Sequence, residues 1–181
     1  MNITELFSTG ERQKILGYLL SHPSQGMTMR ALAKKLGLSA GQIHKYFAIL
    51  GKEGLFEQGR LKEGPLISSL RLLWNVKRIE EAGVVGIIRH RIGAVAGIGL
   101  YGSWASGTNA EGSDLDLWVK TEAEPEDDLK LAKARKEIES RLGVPVDVVI
   151  ASSQRLARLR EKSDAFYFSL YNGRVLWGEG L

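Results

Sequence analysis

Apolar residues recur at helical spacing through the first part of the chain. In "GERQKILGYLLSH", Ile15, Leu16, Leu19 and Leu20 share a face, and Pro23 and Gly26 in "SHPSQG" close the segment, so a first helix is expected. In "TMRALAKKLG", Thr28 reads as an N-cap, Leu32 and Leu36 as the apolar side, and Gly37 as the stop. "LSAGQIHKYFAILGKEGLF" predicts a third helix capped by Ser39, with Ile43, Phe47 and Leu50 inward. Two short β-prone runs then flank a turn rich in Gly59, Lys62, Glu63, Gly64 and Pro65, which predicts a hairpin. From Leu70 the pattern returns to helix, apolar at Leu70, Leu73, Trp74, Val76 and Ile79, then at Val84, Val85, Ile87 and Ile88. This stretch reads as one helix or two whose apolar face is covered by the second domain or by a partner copy, as in a homodimer. Arg89, His90 and Arg91 suit the C-terminal end of such a helix.

Farther along, "AVAGIGLYG", "LDLWVKT" and "VPVDVVIAS" read as strands. The charged segment "PEDDLKLAKARKEIESRLG" reads as the helix between the second and third, with an acidic start and Leu129, Ala132, Lys133 and Lys136 mixing faces. After "VPVDVVIAS" come a helix capped by Ser152 or Ser153, a shorter helix, and a last strand beyond Asn172-Gly173. The fold class is therefore α/β (α+β), divided as 1–72, a helical linker 73–92, and 93–181.

Charge sharpens that division. Residues 1–92 hold 14 Lys+Arg against 7 Asp+Glu, while 93–181 hold 11 against 14. A basic front beside an acidic back points to two tasks, the first near phosphate backbones. There is no cysteine and only three histidines, His22, His44 and His90, so disulfides and thiolate metal sites are excluded. No apolar run is long enough for a membrane span, and the first residues lack a signal-peptide pattern. A cytoplasmic protein without a membrane partner is expected.

Two helices on a tight turn followed by a hairpin are the parts of a winged helix-turn-helix domain, and "MRALAKKLGLSAGQIHKYFAILGKEGLF" closely resembles that family. The resemblance implies DNA as a partner. Gln42, His44 and Lys45 would face bases from the later helix, with Arg60 and Lys62 on the wing facing phosphates.

The chemistry concentrates in "LYGSWASGTNAEGSDLDLWV". Alternation sends residues i and i+2 of a strand to one face, roughly 6.5 to 7 Å apart, so Asp114 and Asp116 point together while Leu115 and Leu117 point to the core. Two carboxylates this close repel unless a cation sits between them or one is protonated. A hard dication with oxygen ligands, Mg2+ above all, fits. Asp147 lies in another apolar strand and joins the cluster if that strand pairs with the one holding Asp116. Gly102 lets backbone come close and Ser103 offers an amide and a hydroxyl, the complement a phosphate needs. No Ser, His and Asp set stands in suitable context, and "GIGLYG" is too loose for a dinucleotide fingerprint.

Gly102-Ser103, ten residues, then Asp114 to Asp116 is the GSx10DxD pattern, and the back half resembles the minimal nucleotidyltransferases of that superfamily. The fold implied is a mixed sheet with flanking helices. The resemblance implies ATP or another NTP as donor and two Mg2+ ions held by Asp114 and Asp116. It places Gly102, Ser103 and Ser113 at the nucleotide, and Asp147 as third carboxylate, activating the hydroxyl of a protein or small-molecule acceptor. It also implies an HEPN-type toxin as partner, with the chain as its antitoxin. The competing reading is a DNA-binding regulator whose transferase domain senses nucleotide or is inactive. Where many relatives carry arginines after Gly-Ser, this chain has Trp104 and Ser106; Trp104 is expected to pack beneath the loop in preference to stacking on a base.

Overall fold

The computed structural model describes residues 3–23, 28–122, 128–161 and 165–181. Gly26 and the acidic residues Glu126 and Asp127 lie outside them. The chain divides into two compact units, Met1–Trp74 and Asn75–Leu181.

The first unit opens with a 3-10 turn, Ile3–Phe7, followed by α1 (Gly10–Ser21), α2 (Met29–Leu36) and α3 (Ala40–Lys52). Each helix starts at a hydroxyl cap: Thr9 Oγ1 accepts from Arg12 N, Thr28 Oγ1 from Ala31 N, and Ser39 Oγ from Gln42 N. Gln42 Oε1 accepts in return from Ser39 N at 2.8 Å, which completes a capping box. Gly37 ends α2 at φ 67. The hairpin consists of β1 (Phe56–Glu57) and β2 (Arg60–Leu61), paired antiparallel. Its turn is Gln58-Gly59, both at positive φ, as a two-residue primed turn requires.

Here the expected hairpin is corrected. The second β-prone run is not a strand, because Pro65 opens a long helix, α4 (Pro65–Glu81), where a fixed φ and a missing N–H cost nothing. Two further burial patterns differ from expectation. In α3 the fully buried aromatic is Tyr46, whose hydroxyl donates to Leu6 O, while Phe47 is half-buried against Phe56. In α4, Leu73 is 59 % exposed, while Arg71 and Asn75 are buried. Arg71 is tolerated there because Nε donates to Leu20 O at 3.1 Å and Nη2 pairs with Glu63. Trp74 closes the unit by lying on Gly17 of α1, where a side chain would collide with its ring.

The second unit takes the end of α4, then α5 (Val84–Ile92), β3 (Gly97–Tyr101), α6 (Gly102–Ser106), β4 (Leu115–Thr121), α7 (Asp128–Leu142) and β5 (Val146–Ser152). α8 (Ser153–Glu161), α9 (Ala165–Tyr171) and β6 (Arg174–Gly178) follow. The sheet runs β5-β4-β3-β6, with β4 and β5 parallel and the other pairs antiparallel. Only the parallel pair needs a long crossover, and α7 supplies it. The buried stripe of α7 is Ala134, Ile138 and Leu142, four residues apart, while Leu129 is exposed. Val84, Ile87 and Ile88 of α5 are buried within this unit, where α5 lies against α7. One sheet face carries Leu115, Leu117 and Val119. The other carries Tyr101, Asp116, Trp118 and Val149, packed with Leu170 and half-buried Phe166 and Leu159. Among the described residues no helix is long and apolar enough to cross a membrane.

Candidate functional site

The second residue of β4 and the second of β5 are both aspartates, and the parallel register sets Asp116 directly beside Asp147. On its other side Asp116 is paired with Tyr101 of β3. Neighbouring strands lie about 4.8 Å apart, so the two carboxylates share one end of one sheet face. Asp114 stands exposed just before β4, whose first amide, Leu115 N, donates to Pro145 O at 2.9 Å. The condition set by the sequence, that Asp147 joins the pair if the strands are neighbours, is met by this register.

Burial pushes the Asp116 carboxyl above its ordinary range, and the charges of Asp147 and then Asp114 push it further. The Tyr101 phenol is also raised, chiefly by burial, then by Asp116 and Asp147, with Arg155 acting in the opposite sense. This corner of the sheet therefore carries excess negative charge. Three hard oxygen donors, with one acid destabilised by the other two, fit a divalent cation in donor chemistry. Among the described residues no three His, Asp or Glu side chains are already gathered around one point, and Asp147 Oδ1 lies 3.5 Å from Arg135 Nη2. Arg135 is itself fixed by donating from Nε to Val146 O at 2.9 Å.

Opposite the acids lies the Gly-Ser turn. Gly102 adopts φ 66, where a side chain is strained, and a Cβ built there would overlap Asp116 Oδ2, so any substitution would also displace the turn or that carboxylate. Its backbone is thereby laid against the half-buried carboxylate. Ser103 follows, half-buried, with its carbonyl accepting from Thr108 N and from Ser106 Oγ. Ser106 Oγ also meets Gly102 O and Thr108 Oγ1, so this position serves the short helix and brings no cation. Ser113 Oγ accepts from Ala110 N at 2.9 Å, shaping the turn that delivers Asp114.

Trp104 packs beneath the loop, 1 % exposed, as expected. Its Nε1 donates to Ser113 O and the Arg78 guanidinium lies over its ring, 5.1 Å from the centroid. Tyr101, Arg135, Arg155 and Asn75 were not singled out from the sequence. Tyr101 carried a signal, standing next to Gly102 at the end of an apolar strand. The two arginines carried none, because their part depends on how α7 and α8 meet the sheet.

The residues expected at DNA lie in the first unit. His44 and Lys45 are exposed on α3, and Arg60 and Lys62 are exposed at the wing. Gln42 is exposed as well, with its carbonyl oxygen engaged in the capping box.

Comparison with known proteins places these features. The family described as "Nucleotidyltransferase domain" matches residues 82–171, and "Winged helix-turn-helix DNA-binding" matches 12–57. No curated protein matches the chain. Similar solved structures include a mutant of the toxin-antitoxin MntA-HpeT, at 24 % identity over 55 % of this chain and 73 % of that one, TM-score 0.41. A toxin-antitoxin crystallised with AMP-PNP is 25 % identical over 58 % and 74 %, TM-score 0.42. The tri-AMPylated Shewanella oneidensis HEPN toxin in complex with MNT antitoxin is 21 % identical over 60 % and 73 %, TM-score 0.40. Residues 82–171 thus form a nucleotidyltransferase domain, with a winged helix-turn-helix domain ahead of it.

Proposed function

We propose that this chain is a Mg2+-dependent nucleotidyltransferase that moves an NMP, AMP from ATP in the first instance, onto a hydroxyl of an acceptor protein. The observation that carries the reading is the register of Asp116 with Asp147, with the Gly102 backbone pressed on Asp116. Asp114, Asp116 and Asp147 would hold the divalent ions, two by the family pattern. Bound ions would neutralise the triphosphate and stabilise charge on the entering and leaving oxygens.

The chain's own groups have separable tasks. Gly102 keeps the loop close to the acids, and Ser103 and Ser113 face the phosphates and sugar across from them. Asp147 takes the proton of the acceptor hydroxyl. As its oxygen bonds to the α-phosphorus, the bond to pyrophosphate breaks and pyrophosphate departs with the electron pair. Arg135, beside Asp147, holds that carboxylate at the mouth of the site.

The resemblance to minimal nucleotidyltransferases makes an HEPN-type toxin the first acceptor to try, with this chain as antitoxin. Incubating such a partner with the protein, ATP and Mg2+ should add the mass of AMP to the partner, read on the intact protein. Asp116→Asn should abolish the gain. An equal gain with Asp116→Asn would refute the site.

The exposed basic residues of α3 and the wing favour a second role beside the first. Lys45 and His44, with Gln42, would enter a DNA groove, and Arg60 and Lys62 would meet phosphates.

A further inference from the structure

Asn75 is the one asparagine of α4, and it is 1 % exposed on a helix whose buried positions are otherwise mostly apolar. A buried amide needs its hydrogen bonds made, and Asn75 makes them to a single stretch of chain. Its Nδ2 donates to Trp104 O at 3.0 Å and to Asn109 Oδ1 at 2.8 Å. Asn109 is buried too, at 5 % exposure.

Both acceptors belong to the loop between Gly102 and Asp114. Trp104 follows Ser103 directly, and its indole Nε1 donates to Ser113 O, the carbonyl just before Asp114. Trp104 thus ties the two ends of the loop, Ser103 and Asp114, to one another. Asn75 fixes the carbonyl of that same tryptophan and, through Asn109, the middle of the loop. The loop's own bonds, such as Ser106 Oγ to Gly102 O and Ala110 N to Ser113 Oγ, are local and set no position relative to the rest of the unit. The Asn75 pair does so, from a helix outside the sheet.

We propose that Asn75 is a positioning residue of the nucleotide site, holding Ser103 and Asp114 at the separation that a bound nucleoside triphosphate and its metal require. This inference rests on the functional reading above. Asn75 touches no reacting atom; it acts through Trp104 and Asn109. Replacement by aspartate keeps the size and removes both donors, so two buried oxygens lose their partner and face a carboxyl instead. Outer contacts that orient binding groups typically govern affinity by roughly 10- to 100-fold.

The test separates positioning from mere folding. A purely structural loss lowers the fraction of competent protein, and with it the amplitude, but leaves the affinity of the folded remainder unchanged. Titration of the full chain with ATP in the presence of Mg2+ is compared for wild type, Asn75→Asp and the core control Ile138→Val. Hydrogen exchange across residues 103–113 is followed without nucleotide.

Asn75→Asp should raise the dissociation constant roughly tenfold or more and speed exchange in that loop, while Ile138→Val keeps wild-type affinity. Wild-type affinity and unchanged loop exchange in Asn75→Asp would overturn the proposal and leave the functional reading standing. A wild-type chain that binds no ATP would overturn the functional reading, and this inference with it. Should Asn75→Asp fail to fold, Asn109→Ala is measured in the same way. It removes one of the two acceptors, and wild-type affinity there would also overturn the proposal.

Discussion

Gly102→Ala offers a prediction whose size can be worked from the fold. At φ 66 an alanine pays the left-handed penalty, about 1–2 kcal/mol. In the second unit, close to the size of an average domain, that lowers Tm by about 4–16 °C, at about 4–8 °C for each kcal/mol. Gly143 pays the same penalty at φ 70, but a Cβ there meets nothing, whereas at Gly102 it overlaps Asp116 Oδ2. Restoring van der Waals separation shifts the turn or the carboxylate by about 1 Å. A misplacement of that size costs about 100-fold in rate where geometry is demanding. Melting should therefore fall similarly in Gly102→Ala and Gly143→Ala. Nucleotide transfer per folded molecule should fall about 100-fold in the first alone. Equal activity in the two variants, or a loss shared by both, would refute the argument that this glycine exists to let the loop meet Asp116.

Other expectations follow from the same geometry. Because the folded-state pKa of Asp116 is raised, its ionisation opposes folding: the stability it contributes is full below the ordinary value of 3.8 and is lost as pH rises through the shifted value. Metal-free Asp116→Asn should accordingly melt higher than wild type at pH 7, with the gain vanishing toward pH 3.8, as calorimetry over pH would show. Adding Mg2+ should raise Tm in wild type and do less in Asp116→Asn. For the winged helix, duplex affinity should weaken with salt, and Lys62→Ala, which removes a proposed phosphate contact, should reduce the slope of log K against log salt by about 0.9. A slope unchanged by that substitution would remove Lys62 from the phosphate contact.

How far the sequence discloses this arrangement depends on which forces a one-dimensional pattern records. Strand alternation placed Leu115 and Leu117 inward and turned Asp116 the other way, because period-two burial is local and strong. Caps at Thr9, Thr28 and Ser39 were legible for the same reason: one hydroxyl answers one orphan amide within three residues. Trp104 was readable as a packing residue by its size. The first residues of the helix that begins at Pro65 were hidden, because β-prone residues with a nearby turn outweighed the preference of proline for a first helical turn. Arg71 and Asn75 were hidden because hydropathy reads them as surface, while their burial depends on acceptors distant in sequence, Leu20 O and Trp104 O. The meeting of Asp116 with Asp147 lay between these cases, since the strands were legible and their register was not.

The central claim, that three aspartates and the Gly102-Ser103 turn transfer a nucleotidyl group, is tested most directly by the phosphorus that moves. The chain is incubated with Mg2+, an HEPN-type acceptor and ATP labelled at either the α or the γ position. Label should reach the acceptor from the α position alone, with pyrophosphate released, and transfer should vanish in Asp114→Asn, Asp116→Asn and Asp147→Asn. Label arriving from the γ position, or α label persisting in those three variants, would contradict the account.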